Sequence, residues 1–222
     1  MPMNLPNLLT LFRLLAAPGV ALAFAIWVRP VADWVALGLF IGAALTDWVD
    51  GYLARKWNQI SRFGAMLDPI ADKAMVITAL AVVMGTSGLN PWVIAPAAVI
   101  LLREVFVSGL REFLGADAGK LAVTKLAKWK TTAQMVALAA LMAGMGLQSE
   151  RAVLFHTVTG AEYDAAMAAR EGWLWWSGQL GWMLGRAGIV LLWLAAVLTA
   201  LTGWDYLRKA MPYLKDSGEA MR

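Results

Sequence analysis

A chain of 222 residues that is 60% hydrophobic and only 15% charged has more apolar surface than a soluble domain can hide, since ordinary domains are about 45–50% apolar and about 25% charged. Disorder, a collagen-like repeat and a coiled coil are excluded on the same numbers. With no cysteine and one histidine, His156, disulfide frameworks, zinc–thiolate sites, cysteine nucleophiles and multi-histidine metal sites are excluded too.

The net charge is +4 and the isoelectric point about 9.5. In a chain with a mean hydropathy of +0.63, this fits the positive-inside bias of a membrane protein better than a nucleic-acid partner. The expected solvent is therefore the lipid bilayer, and no nucleic acid is expected. The opening residues, Met1 to Asn4, show neither a positive run nor a small-residue cleavage site, so no cleaved signal peptide is expected.

Six apolar stretches are long enough to span, given that about 20 helical residues cross the hydrocarbon core. They cover 8–28, 31–54, 64–84, 91–114, 131–147 and 180–203. The expected fold is an all-α membrane protein with six transmembrane helices, forming one integral-membrane domain over 1–222. Arg13 and Pro18 interrupt the first stretch. Residues 4–15 are therefore expected as an N-terminal interfacial amphipathic segment. Connections are short except at 115–130 and at 148–179, the second expected as an extracytoplasmic loop between helices 5 and 6. Its tryptophans, Trp173, Trp175, Trp176 and Trp182, suit an interfacial belt.

Six crossings from a cytoplasmic N-terminus place only Arg29, Arg151, Arg170 and Arg186 outside, out of 19 Lys and Arg residues. Both termini are therefore expected in the cytoplasm.

The acids carry the chemistry. Asp47, Asp50, Asp68 and Asp72 lie in or at the ends of expected membrane helices, where an ionisable group is costly and marks function by default. Asp47 and Asp50 are three apart and share one face of the second helix. Asp68 and Asp72 are four apart and share one face of the third. A short turn makes these helices antiparallel neighbours, so the four carboxylates converge near the cytoplasmic surface. Such a cluster repels itself unless cations sit within it. Hard divalent ions are the natural partners, and a pair of ions suits phosphoryl displacement. The expected cofactor is Mg²⁺ or Mn²⁺, as two ions. The competing reading pairs the acids with Arg55, Arg62 and Lys73. Small residues nearby (Gly51, Ala54, Gly64, Ala65) let helices approach closely and also leave room for a nucleotide. Pro69 is expected to kink the third helix or to mark a local helix start.

Asp47, Asp50, Gly51, Ala54, Arg55, Gly64, Asp68 and Asp72 stand at the spacing of the CDP-alcohol phosphotransferase signature, and the chain resembles that family. From average residue usage, a chance match is on the order of one in ten million. Further stretches resemble a bacterial branch that uses sn-glycerol 3-phosphate as acceptor. These are Asn4 to Arg13, Arg103 to Glu112, and Lys128-Trp129-Lys130-Thr131-Thr132-Ala133-Gln134, with Ala127 where that branch usually has Gly.

The resemblance implies CDP-diacylglycerol and sn-glycerol 3-phosphate as substrates, with phosphatidylglycerol phosphate and CMP as products. It implies Asp47, Asp50, Asp68 and Asp72 as metal ligands, with Asp72 also the catalytic base. It implies contacts to the CDP moiety from Asp47, Gly51, Ala54, Arg55 and Gly64. It also implies a homodimer in the bacterial cytoplasmic (inner) membrane, with the active site facing the cytoplasm. The acceptor phosphate needs cations, and Arg111, Lys125, Lys128 and Lys130 gather at the inner ends of the fourth and fifth helices. Topology or anionic-lipid attraction explains any single lysine equally well. Other acceptors (inositol phosphate, serine, phosphatidylglycerol), an intramembrane prenyltransferase and a cation transporter remain alternatives.

Overall fold

The computed structural model describes residues 5–56, 62–120 and 125–216. They form seven α-helices in chain order: α1 (Leu5–Ile26), α2 (Val31–Lys56), α3 (Arg62–Thr86), α4 (Pro91–Leu114), α5 (Lys125–Thr157), α6 (Gly160–Ala169) and α7 (Gly172–Asp216). A short 3₁₀ helix, Gly115–Lys120, leaves α4. Asn90 caps α4 by accepting from the Trp92 N–H, and Pro91 begins the helix where no intrahelical donor is needed.

The core is built largely from alanine. Ala16, Ala17 and Ala23 of α1 meet Ala36, Phe40 and Ala43 of α2 and Ala79, Leu80 and Val83 of α3. In lipid there is no hydrophobic drive between helices, so close approach over small side chains is what holds them. The tightest seam joins α5 to α7. A β-carbon on Gly144 would stand 3.0 Å from the Gly185 nitrogen, and one on Gly188 would stand 2.6 Å from Leu141 Cγ.

The outward faces are apolar. Leu15, Leu22 and Ile26 on α1, Leu102, Val105 and Phe113 on α4, and Val190, Val197, Leu201 and Trp204 on α7 are all exposed. Large apolar side chains turned outward over a core of small ones suit lipid as solvent. Together with the helix lengths, they make the chain an integral membrane protein. Among the described residues three helices are long and apolar enough to cross a membrane: α1 over Asn7–Ile26, all of α4, and α7 over Gly172–Leu214.

Three expectations change. Residues 148–179 are not a loop but helix almost throughout: the end of α5, all of α6 and the start of α7. Pro69 lies inside α3 and starts no helix there. The N-terminal segment is continuous with the first span in α1, and its polar side chains Asn7, Thr10 and Arg13 point into the bundle.

Alternating helix directions bring six helix ends together: the starts of α1, α3 and α5 and the ends of α2, α4 and α7. All the expected site residues lie at this end. At the opposite end Glu150 ties three helices by accepting from Trp34 Nε1 at 2.7 Å and Trp173 Nε1 at 2.9 Å.

Candidate active site

α1 delivers a buried polar stripe, and α2 and α3 deliver the acids that meet it. Asn7, Thr10 and Arg13 are spaced by three, so they lie on one side of α1. Arg13 Nη1 donates to Asp47 Oδ1 of α2 and, at 2.6 Å, to Asp72 Oδ1 of α3. Arg13 Nη2 lies 3.3 Å from Asp68 Oδ1, and Thr10 Oγ1 donates to that same oxygen at 2.8 Å. The guanidinium side chain is 3% exposed, whereas the carboxylates of Asp47, Asp68 and Asp72 are 53%, 48% and 56% exposed. The cation is held from within while the acids keep an open side.

Beside them lies a cavity of about 290 Å³ between α1, α2, α3 and α5. Arg13, Asp47, Asp72, Thr131 and Thr132 give it a polar side, and Ala43, Ala71, Met75 and Val136 an apolar one. One wall suits a charged head and the other a hydrocarbon chain.

The described carboxylates form no group arranged to hold a metal ion; the guanidinium occupies their common ground. The donor set nevertheless fits a hard cation. It is all oxygen, it comes from two neighbouring helices, and three of its members already share one positive charge. Among the described side chains, Arg13 is the partner seen. Lys73 instead donates to Ser108 Oγ at 2.5 Å. The side chains of Asp50, Gly51, Ala54, Arg55 and Arg62 lie outside the described residues, although all five positions belong to α2 or α3.

The basic cluster is partly described. Lys130 is buried, and its Nζ donates to Glu104 Oε1 at 2.5 Å. Arg111 is exposed, with its guanidinium 5.3 Å from the centre of the Tyr206 ring. The side chains of Lys125 and Lys128 lie outside the described residues.

Comparison with known proteins accords with this arrangement. The model of the CDP-alcohol phosphatidyltransferase family matches residues 3–201. The chain belongs to that family. A protein of Cereibacter sphaeroides named CDP-diacylglycerol–glycerol-3-phosphate 3-phosphatidyltransferase is 58% identical over 220 residues, which is 96% of this chain and 98% of the relative. A protein of the same name from Escherichia coli K12 is 40% identical over 222 residues, 97% of this chain and all of the relative. One from Haemophilus influenzae is 42% identical over 144 residues, 64% of this chain and 77% of the relative.

Within this CDP-alcohol phosphatidyltransferase, the structure brings Asp47, Asp68 and Asp72 together as their spacing requires. Gly64 is buried at the start of α3, one turn before Asp68. Sequence reasoning let the Asn7, Thr10 and Arg13 segment border the nucleotide or merely anchor the interface, and took Thr131 and Thr132 as part of a branch motif, without setting any of them against the acids. The available signal was Arg13 itself, an arginine within an apolar run, which needs a buried partner of opposite charge.

Proposed function

We propose that this family member is a phosphatidylglycerophosphate synthase. It transfers the phosphatidyl group of CDP-diacylglycerol to sn-glycerol 3-phosphate and releases CMP. The observation that carries the reading is the meeting of Asp47, Asp68 and Asp72 beside a cavity with one charged and one apolar wall. Near full-length identity to relatives named for this reaction supports it.

Asp47, Asp50, Asp68 and Asp72 are the groups that would hold two Mg²⁺ or Mn²⁺ ions. Bound there, such ions neutralise the pyrophosphate and stabilise charge on the attacking and leaving oxygens. Asp72 accepts the proton of the acceptor hydroxyl. The new oxygen–phosphorus bond forms at the phosphorus bearing diacylglycerol, and the pyrophosphate bond breaks with its electron pair leaving on CMP. A carboxylate is a weak base for an alcohol, so the proton moves as the transition state forms rather than before it. Asp47, Gly51, Ala54, Arg55 and Gly64 hold the CDP moiety. Arg111, Lys125, Lys128 and Lys130 receive the acceptor phosphate, the arginine as a fork and the lysines as point charges.

In this reading α1, α2, α3, α4, α5 and α7 all cross the bacterial inner membrane and α6 lies outside it. The acids face the cytoplasm, where the Lys and Arg bias puts them, and the enzyme works as a homodimer. The deciding experiment supplies purified enzyme with CDP-diacylglycerol, Mg²⁺ and one acceptor at a time: sn-glycerol 3-phosphate, inositol phosphate, serine or phosphatidylglycerol. CMP release with sn-glycerol 3-phosphate alone is expected. Preference for another acceptor moves the enzyme within its family, and no CMP with any of them refutes the reading.

A further inference from the structure

Glu104 is a carboxylate on α4, set within the bundle and 14% exposed. It lines no part of the cavity beside the acids. Its Oε1 accepts from Lys130 Nζ at 2.5 Å and from Arg103 Nη1 at 3.1 Å. Its backbone carbonyl accepts from Ser108 Oγ at 2.6 Å, and Ser108 Oγ accepts from Lys73 Nζ at 2.5 Å. One residue thus tethers two lysines on two other helices, Lys130 directly and Lys73 through a hydroxyl.

The two lysines have matching places. Lys73 follows Asp72 on α3, and Lys130 precedes Thr131 on α5; Asp72 and Thr131 both line the cavity. Lys73, Arg103 and Lys130 gather around a single carboxylate, so the group keeps a surplus of positive charge. Arg103 is fixed from its other side by α7. A β-carbon on Gly203 would meet Arg103 Cγ at 3.0 Å, so a larger residue there would press on the arginine stem. Without the carboxylate, three cations in a region of low dielectric would repel one another, and the flexible lysine stems would let them part.

We propose that Glu104 is a positioning residue for the acceptor subsite: it holds the ammonium of Lys130, and through Ser108 that of Lys73, one residue along the chain from the cavity lining, for an anionic phosphomonoester that it does not itself touch. The proposal rests on the acceptor reading above. Lys130 has three N–H donors, and Glu104 takes one and leaves two for a phosphate. Preorganising the donors removes the cost of ordering them when the acceptor binds.

The test uses the full-length enzyme in detergent, with CMP release measured while each substrate is varied. Glu104→Gln is expected to raise the KM for sn-glycerol 3-phosphate about tenfold, the loss of roughly one charge-assisted hydrogen bond. The KM for CDP-diacylglycerol should stay unchanged. Added to Lys130→Met, Glu104→Gln should raise the acceptor KM little further, because it acts through that lysine. Should Glu104→Gln fail to fold, Glu104→Asp keeps the charge, withdraws it from Lys130, and should raise the acceptor KM alone.

An unchanged acceptor KM in the Glu104 variants, beside a raised one in Lys130→Met, overturns the proposal and leaves the acceptor reading standing. A wild-type acceptor KM in Lys130→Met as well overturns the proposal and removes Lys130 from the acceptor reading. Donor and acceptor KM rising together assigns Glu104 to helix packing and overturns the positioning role.

Discussion

Arg13 Nη1 stands 2.6 Å from Asp72 Oδ1, a contact between residues 59 positions apart in the chain. The arginine is buried and the aspartate half-exposed. The same nitrogen serves Asp47, so the first helix supplies the counter-charge for acids carried by the next two.

Replacing Arg13 should therefore expose repulsion among the acids. Arg13→Met is expected to lower stability in chelator by about 1–3 kcal/mol, less than a fully buried pair would lose because the acids face solvent. In a chain of this size each kcal/mol corresponds to roughly 2–4 °C. The rise in melting temperature when Mg²⁺ replaces chelator should be larger in the variant than in wild type. An equal rise would mean that Arg13 and divalent ions do not share the acids.

The four acids should separate by role. Asp47→Asn, Asp50→Asn and Asp68→Asn should each nearly abolish CMP release while leaving the protein folded, and complete chelation should do the same to wild type. Asp72→Asn should stop turnover yet keep most CDP-diacylglycerol binding. Equal loss of donor binding in Asp72→Asn and Asp50→Asn would make Asp72 chiefly a ligand.

Arg111 lies near the basic start of α5 and rests over Tyr206. Arg111→Ala should weaken use of sn-glycerol 3-phosphate by about ten- to a hundredfold, the worth of one charge-assisted contact. The donor KM should move little. Lys125→Ala and Lys128→Ala should show smaller effects of the same kind. Wild-type acceptor kinetics in all three would make these cations purely topological.

The α5–α7 seam should tolerate no added carbon. In Gly144→Ala the new carbon would stand 3.0 Å from the Gly185 nitrogen and 3.2 Å from the Gly181 carbonyl oxygen. A cost of about 1–3 kcal/mol is expected from such overpacking. Gly38→Ala, with nothing within 4 Å of its added carbon, is the matched control. Melting temperatures in detergent compare the two.

α6 should carry its own acid sensitivity. Glu162 accepts from the Thr159 N–H at 2.8 Å and from its hydroxyl at 2.9 Å, and these bonds hold its pKa below the ordinary 4.5. A lowered carboxylate pKa adds stability above the unfolded value and loses it as pH falls through the folded one. Amide protection in α6, corrected for intrinsic exchange, should therefore drop as the pH is taken below 4.5. In Glu162→Gln that drop should vanish.

The helices were legible because lipid leaves a long apolar run no alternative but helix. Their outer ends were not. Gln148, Ser149, Glu150 and Arg151 continue α5 with no apolar signal, and what holds them is packing: Gly178 of α7 stands against the Arg151 side chain and Gly181 against Gln148. The acids at positions 47, 68 and 72 were legible from spacing alone, since three- and four-residue steps fix a helix face. Their cation was not. Arg55, Arg62 and Lys73 are nearer in sequence than Arg13, and only the packing of α1 against both α2 and α3 puts Arg13 among them. The pairing of Lys130 with Glu104 was hidden for the same reason, as 26 positions separate them.

The length of α7 has a practical side. At 45 residues and about 1.5 Å per residue it reaches roughly 67 Å, more than the 40–45 Å of a whole bilayer with its headgroups. A helix that long extends past the bilayer, and in the topology proposed above α6 packs beside its outer start. Small membrane proteins give imaging methods little to align on once a micelle surrounds them. Here the chain supplies its own fiducial, a surface against which an antibody fragment can be raised without touching the lipid-facing belt.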